Sequence, residues 1–168
     1  MSPRKYELPA FLSGVVTQGV YERWLRRKAQ AHVRRDRRLG NEDAIGESYR
    51  DAIHAAAVKS AGMDAYTGEA LNWSLISQYD NDESQEQKRE YKRRFALLPT
   101  VDHVGDSMGP ADFRICGWRT NDAKNDLAFT DFVSLCRTVL EHQGYVVREK
   151  GAESTALRPS DGTSSAGR

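Results

Sequence analysis

The stretch LPTVDHVGDSMGPADFRICGWRTNDAKND, from Leu98 to Asp126, constrains this chain most. It opens as an apolar strand, Phe95 to Val101, that runs into the acid–imidazole pair Asp102-His103. A loop rich in Gly, Ser and Pro follows from Gly105 to Pro110, then a second short apolar segment from Phe113 to Trp118. Asn121-Asp122-Ala123-Lys124 reads as a helix start. A hairpin crossing back onto a helix N-terminus is expected to bring Asp102, His103 and Asn121 within reach of one point. A carboxylate and an amide oxygen are hard donors that suit a divalent cation, and an imidazole beside them can accept a proton.

Val101-Asp102-His103-Val104, then Asp112-Phe113, then Asn121-x-x-Lys124, follow one another in an order that resembles the HNH, or ββα-metal, endonuclease family. Upstream, Ala65-Tyr66-Thr67-Gly68-Glu69-Ala70-Leu71 is similar to the family's opening turn. The likeness spans about residues 60 to 142, roughly half of the chain. It implies a general base at His103 and metal ligands at Asp102 and Asn121. Lys124, one helical turn past Asn121, is expected to contact a phosphate, and the helix N-terminus near Asn121 to favour an anion. Asp112 stands where the family usually has an Asn that ties the loop together. Many relatives carry two Cys-x-x-Cys knuckles. Here Asp64 and Thr67 occupy the first and Gly117 and Thr120 the second, so no structural zinc is expected.

The remaining chain frames that core. With 168 residues, 29% charged and 39% hydrophobic, the composition is that of one ordinary globular domain with appendages. A net charge of +1 means that any contact with nucleic acid rests on local clustering. No apolar run approaches a membrane span and no signal peptide is recognisable, so a cytoplasmic protein is expected. Cys116 and Cys136 each sit in an apolar segment and are expected to be buried free thiols.

Residues 1–16 read as an arm that packs loosely or crosses the core. Thr17 is placed to cap a helix from about Gln18 to Leu39, with Val20, Tyr21, Trp24, Leu25 and Ala29 on its apolar side. Arg23, Arg26, Arg27, Arg34, Arg37 and Arg38 gather opposite, within about a third of the circumference. Between Tyr21 and Leu39 stand eight Arg or Lys against two acids, Glu22 and Asp36. Such a row can track a phosphate backbone, or simply be a solvated face. A second helix is expected from Glu42 to Ala61, capped by Asn41 or Asp43 and ended by Gly62. His32 and His54 read as structural.

The polar run from Gln78 to Arg94 is expected as a surface insertion ending in a short basic helix, with a second phosphate-contacting patch as the alternative. A last helix, Thr130 to Gln143, carries Phe132, Leu135, Cys136, Val139 and Leu140 as a stripe toward the hairpin. From residue 149 the chain is small, polar and expected to be disordered.

The expected fold is therefore α+β and mostly helical. A two-helix basic region (1–61) precedes an HNH-like nuclease core (62–148) and a tail (149–168). The resemblance implies a metal-dependent endonuclease hydrolysing phosphodiester bonds in DNA with Mg²⁺ or Mn²⁺. The alternative is a non-catalytic DNA-binding protein with a degenerate HNH fold. One active site cuts one strand, so double-strand cleavage would call for a homodimer or for sequential nicks.

Overall fold

A computed structural model describes residues 5–105 and 108–149. The protein is α+β. Among the described residues the elements run α1 (Gln18–Arg38), α2 (Gly46–Ser60), α3 (Asn81–Gln87), α4 (Arg89–Arg94), β1 (Pro99–His103), β2 (Phe113–Gly117), α5 (Trp118–Lys124) and α6 (Phe129–His142). Two compact units result, Met1–Ala128 and Phe129–Arg168, so the first runs across the expected boundary at residue 61.

In the first unit α1 starts where Thr17 accepts a hydrogen bond from the Val20 amide, as its sequence position suggests. Its stripe of Tyr21, Leu25, Ala29 and Val33 is buried against Tyr49, Ile53 and Ala57 of α2. The segment before α1 crosses the core: a 3-10 turn at Ala10–Leu12 buries Leu12 completely, and Gln18 accepts from the Leu8 amide and donates to the Tyr6 carbonyl.

α2 begins later than its sequence suggests. Asn41 does not cap it; its Oδ1 accepts from the Asp43 amide in a turn that buries Ala44, and the helix starts after Ile45 with no side-chain cap. Arg37 holds this turn by donating to the Ala44 carbonyl.

β1 and β2 form a two-stranded antiparallel sheet that pairs Pro99 with Gly117 and His103 with Phe113. The strand does not begin at Phe95, because Phe95 ends α4 and stacks on the buried ring of Tyr91 at 4.2 Å between centroids. One apolar face of the hairpin, with Val101, Phe113 and Ile115, joins the core shared by α1 and α2. Within the first unit, α1 and α2 cover that apolar face.

The second unit is described by itself. None of the residues of α6 is buried, and Phe129, Val133, Leu135, Val139 and Leu140 are exposed. Cys136 is exposed as well, which corrects its expected burial; Cys116 is buried, and both thiols are free. The tail expected to be disordered lies, beyond Glu149, outside the described residues.

A buried carboxylate joins the Thr67-Gly68 turn to the hairpin. Asp64 is 2% exposed. One oxygen accepts from the amides of Tyr66 and Thr67 at 2.8 and 3.1 Å, and the other from the Gly117 amide at 2.8 Å. Glycine suits this approach, since a Cβ at Gly117 would lie 3.1 Å from the Ala96 carbonyl oxygen and 3.4 Å from Asp64 Oδ2, and these neighbours would have to give way slightly. Hydrogen bonds to a charged acceptor contribute about 1.5–3 kcal/mol each. Asp64→Ala is therefore expected to lower the unfolding free energy in urea by on the order of 3 kcal/mol or more. A decrease within error of zero would show that the turn is held by other interactions.

Candidate functional site

Strand alternation decides what the Asp-His pair can do. Neighbouring strand residues point to opposite faces, so Asp102 and His103 diverge. Asp102 lies on the face of Thr100, Arg114 and Cys116, and His103 on the face of Val101, Phe113 and Ile115.

On the first face the carboxylate of Asp102 is 7% exposed and has two partners. Tyr66 donates its hydroxyl to it, and the Lys124 ammonium lies 3.1 Å from Oδ2. Burial, followed by the hydrogen bond to Asp102, pushes the Tyr66 phenol well above its ordinary range, so it stays a donor. Lys124 and Arg114 also lie over the Tyr66 ring, at 5.9 and 5.5 Å from its centroid. From α1, Lys28 reaches the same strand face and donates to Thr100 at 2.8 Å. Burial pulls its ammonium down to about 8.

Asn121 is not at a helix start. α5 begins three residues earlier, and its first amides, of Trp118 and Arg119, are already taken by the carbonyls of Leu98 and Ala96 at 3.0 Å. The expectation that a helix N-terminus beside Asn121 would favour an anion is corrected by those bonds. Asn121 is half-buried in the second turn, and its Oδ1 lies 4.0 Å from Cys116 Sγ, which places it beside the strand face of Asp102.

On the second face His103 is enclosed, with a side chain 3% exposed. Its ring packs on Phe113 at 5.0 Å, with Tyr49 and His32 at 6.5 and 6.4 Å. Nε2 lies 3.3 Å from Oδ2 of Asp36, which is itself fully buried. Tyr49 donates to that same oxygen at 2.6 Å, and Arg35 Nε to Oδ1 at 3.0 Å. Burial would raise the Asp36 carboxyl, but the bonds from Tyr49 and Arg35 leave it below its usual range. Burial lowers His103 from its ordinary value despite Asp36, and lowers His32 to about 4.

The expected meeting of Asp102, His103 and Asn121 at one point is thus divided. Asp102, Lys124, Tyr66 and Asn121 share one side of the hairpin, while His103 sits on the other with Asp36. Asp112 is exposed; its backbone carbonyl accepts from the Val104 amide at 2.9 Å and closes the hairpin.

Among the described residues no three His, Cys, Asp or Glu side chains converge as a metal-ligand group. Asp102 and Asn121 each offer a hard oxygen donor, one a carboxylate and one an amide, on the same side of the hairpin. Lys124 already places a positive charge against that carboxylate.

Arg23, Arg26, Arg27, Arg34, Arg37 and Arg38 are all exposed on α1. The basic end of the 78–94 run differs. Lys92, Arg93 and Arg94 are paired with Asp122, Glu90 and Glu83, which favours the solvated-insertion reading over a second phosphate patch. His54 bonds the Tyr21 hydroxyl at 2.8 Å, consistent with a structural role.

Sequence reasoning passed over Asp36. It follows Leu25, Ala29 and Val33 along the buried stripe of α1, and an acid on such a stripe signals a buried partner. Tyr66 was visible as part of its motif, but its bond to Asp102 was not.

Comparison with protein-family models, with curated proteins and with solved structures finds no match. Among the described residues no helix is long and apolar enough to cross a membrane.

The buried histidines give a pH signature. Unfolded, His32, His54 and His103 take up protons near pH 6.5; folded, burial holds all three lower. The unfolded chain therefore binds more protons below that pH, and stability is complete above it and falls on acidification. Each histidine contributes at most ~1.4 kcal/mol per pH unit. Urea midpoints should drop between pH 7 and 5, and His32→Leu should shallow the drop. Equal slopes for both proteins would exclude His32 as a source.

Proposed function

We propose that this chain is a metal-dependent endonuclease acting on DNA, with the Asp102 face of the hairpin as its catalytic face. One observation carries the reading: the Tyr66-Thr67-Gly68 turn, the β1–β2 hairpin and α5 assemble around the buried carboxylate of Asp102. The positions of the two missing cysteine knuckles lie against one another there, joined by the Asp64–Gly117 bond.

Asp102 and Asn121 would hold the divalent ion, which supplies Lewis acidity and neutralises charge on a phosphoryl oxygen. Lys124, at the end of α5, is placed to exchange its contact with Asp102 for one with a phosphate. Tyr66 keeps the carboxylate oriented as its partner changes. His103, expected as the proton acceptor, lies on the opposite face of the hairpin and does not face a water held at Asp102 in this reading. Asp36 faces its Nε2, and Nδ1 has no hydrogen-bond partner among the described residues.

One observation favours a second reading, a non-catalytic DNA-binding protein. The His103 imidazole is enclosed by Phe113, Tyr49 and His32, and a general base must touch water to act. The two readings part on chemistry. With Mg²⁺ or Mn²⁺ the protein should nick supercoiled plasmid, and EDTA should stop it. Asn121→Ala is the clean variant, because Asn121 is half-buried and its truncation leaves the core intact. It should raise the metal concentration needed for half-maximal nicking several-fold. Binding without any metal-dependent nicking would establish the second reading.

The arginine face serves both readings and has its own test. Removing one phosphate-neutralising arginine should lower the slope of log affinity against log salt by about 0.9. Arg34→Gln with Arg38→Gln should therefore flatten the slope in binding titrations, with single-turnover cleavage recovering at saturating DNA. An unchanged slope would return that part of α1 to a solvated face.

A further inference from the structure

The arginine row of α1 does not lie on an open surface along its whole length. Arg23, Arg26, Arg27 and Gln30 line a cleft of about 410 Å³ between α1 and the chain around the 3-10 turn Trp73–Ser77. Trp24 and Tyr79 contribute aromatic walls. The volume falls within the range of small-molecule sites, about 300–1,000 Å³.

Its charge is unbalanced. No Asp or Glu lines the cleft, and among the described residues neither Arg23 nor Arg26 has a carboxylate partner. Lys92, Arg93 and Arg94 of α4 are instead paired with Asp122, Glu90 and Glu83. Three guanidinium groups that share one cleft without a counter-charge suit an anion with several oxygens, which arginine can grip bidentately.

Arg27 differs from the other two. Its guanidinium lies over the Tyr79 ring, 5.5 Å from the centroid, which leaves a flat cationic surface of the kind on which bases stack. The Tyr79 ring in turn meets Trp118, the first residue of α5, at 5.9 Å. The cleft is thus joined through two aromatic rings to the helix that carries Asn121 and Lys124.

We propose that this cleft is a nucleoside-phosphate subsite, in which Arg23 and Arg26 take the phosphate and Arg27 stacks on the base. Resting on the nuclease reading, it would seat one nucleotide of the strand beside the scissile phosphate. A free nucleotide offers the same chemistry, and the test separates the two sources.

Binding is measured by calorimetry in EDTA, so that no cleavage enters. The ligands are thymidine 5′-monophosphate, thymidine, inorganic phosphate and a single-stranded thymidine octanucleotide. The variants are Arg23→Gln with Arg26→Gln, Arg27→Gln, and Arg89→Gln as a surface control. The double variant is expected to weaken both the monophosphate and the octanucleotide at least tenfold, and Arg27→Gln several-fold. Arg89→Gln should change neither, and thymidine should not compete. If only the monophosphate weakens, the cleft takes a free nucleotide and the strand placement is overturned. If inorganic phosphate competes as well as the monophosphate, or if the double variant binds like wild type, the subsite is overturned. Plasmid nicking that fails while these affinities hold would instead overturn the nuclease reading and leave the subsite standing.

Discussion

The bond network of Asp64 holds the candidate site together. One buried carboxylate accepts the amides of Tyr66 and Thr67 with one oxygen and that of Gly117 with the other. It thereby fixes a turn upstream of α3 against the end of β2, where α5 begins. Three charge-assisted hydrogen bonds, a stronger kind than neutral ones, join the two segments. Once the turn is fixed, the Tyr66 hydroxyl is directed at Asp102. The start of α5 is set by the carbonyls of Leu98 and Ala96, which brings Lys124 to the same carboxylate.

The hairpin separates two electrostatic environments by one residue. Asp102 faces cations, with Lys124 against it and Lys28 further along the strand face. His103 faces a buried acid, Asp36, which also ties α1 to α2 through Tyr49. The first environment pairs a buried carboxylate with a phenol and an ammonium. The second is arranged to hold a neutral imidazole inside a core. Both follow from the period of a strand, which no choice of side chain at these two positions alters.

Much of this was legible in the sequence, for identifiable reasons. Thr17 and the Tyr21–Leu25–Ala29 stripe fix α1 because capping and helical period are local properties. The Thr67-Gly68 turn and the two strands were visible through glycine and apolar runs, and the helix before Gly144 through its apolar period. Features set by distant partners were not visible. The start of α2 is moved by a turn that Arg37 holds from another element, and the start of β1 by the stacking of Phe95 on Tyr91. Asn121 falls in the second turn of α5 because backbone carbonyls, not a side chain, begin that helix. The partition of Asp102 from His103 was implicit in strand alternation, while the enclosure of His103 depends on Asp36, a residue that counted in the sequence only as a charge.

We propose that the carboxylate shared by Tyr66 and Lys124 can exchange its lysine for a divalent ion. Paramagnetic broadening by Mn²⁺ in amide NMR spectra reads this directly, independently of activity. The amides of Asp102, Asn121 and Lys124 are expected to broaden first, at Mn²⁺ well below the protein concentration, with excess Mg²⁺ restoring them and Asp102→Asn abolishing the effect. Broadening confined to the exposed acids of α3, with the hairpin and α5 untouched, would contradict it.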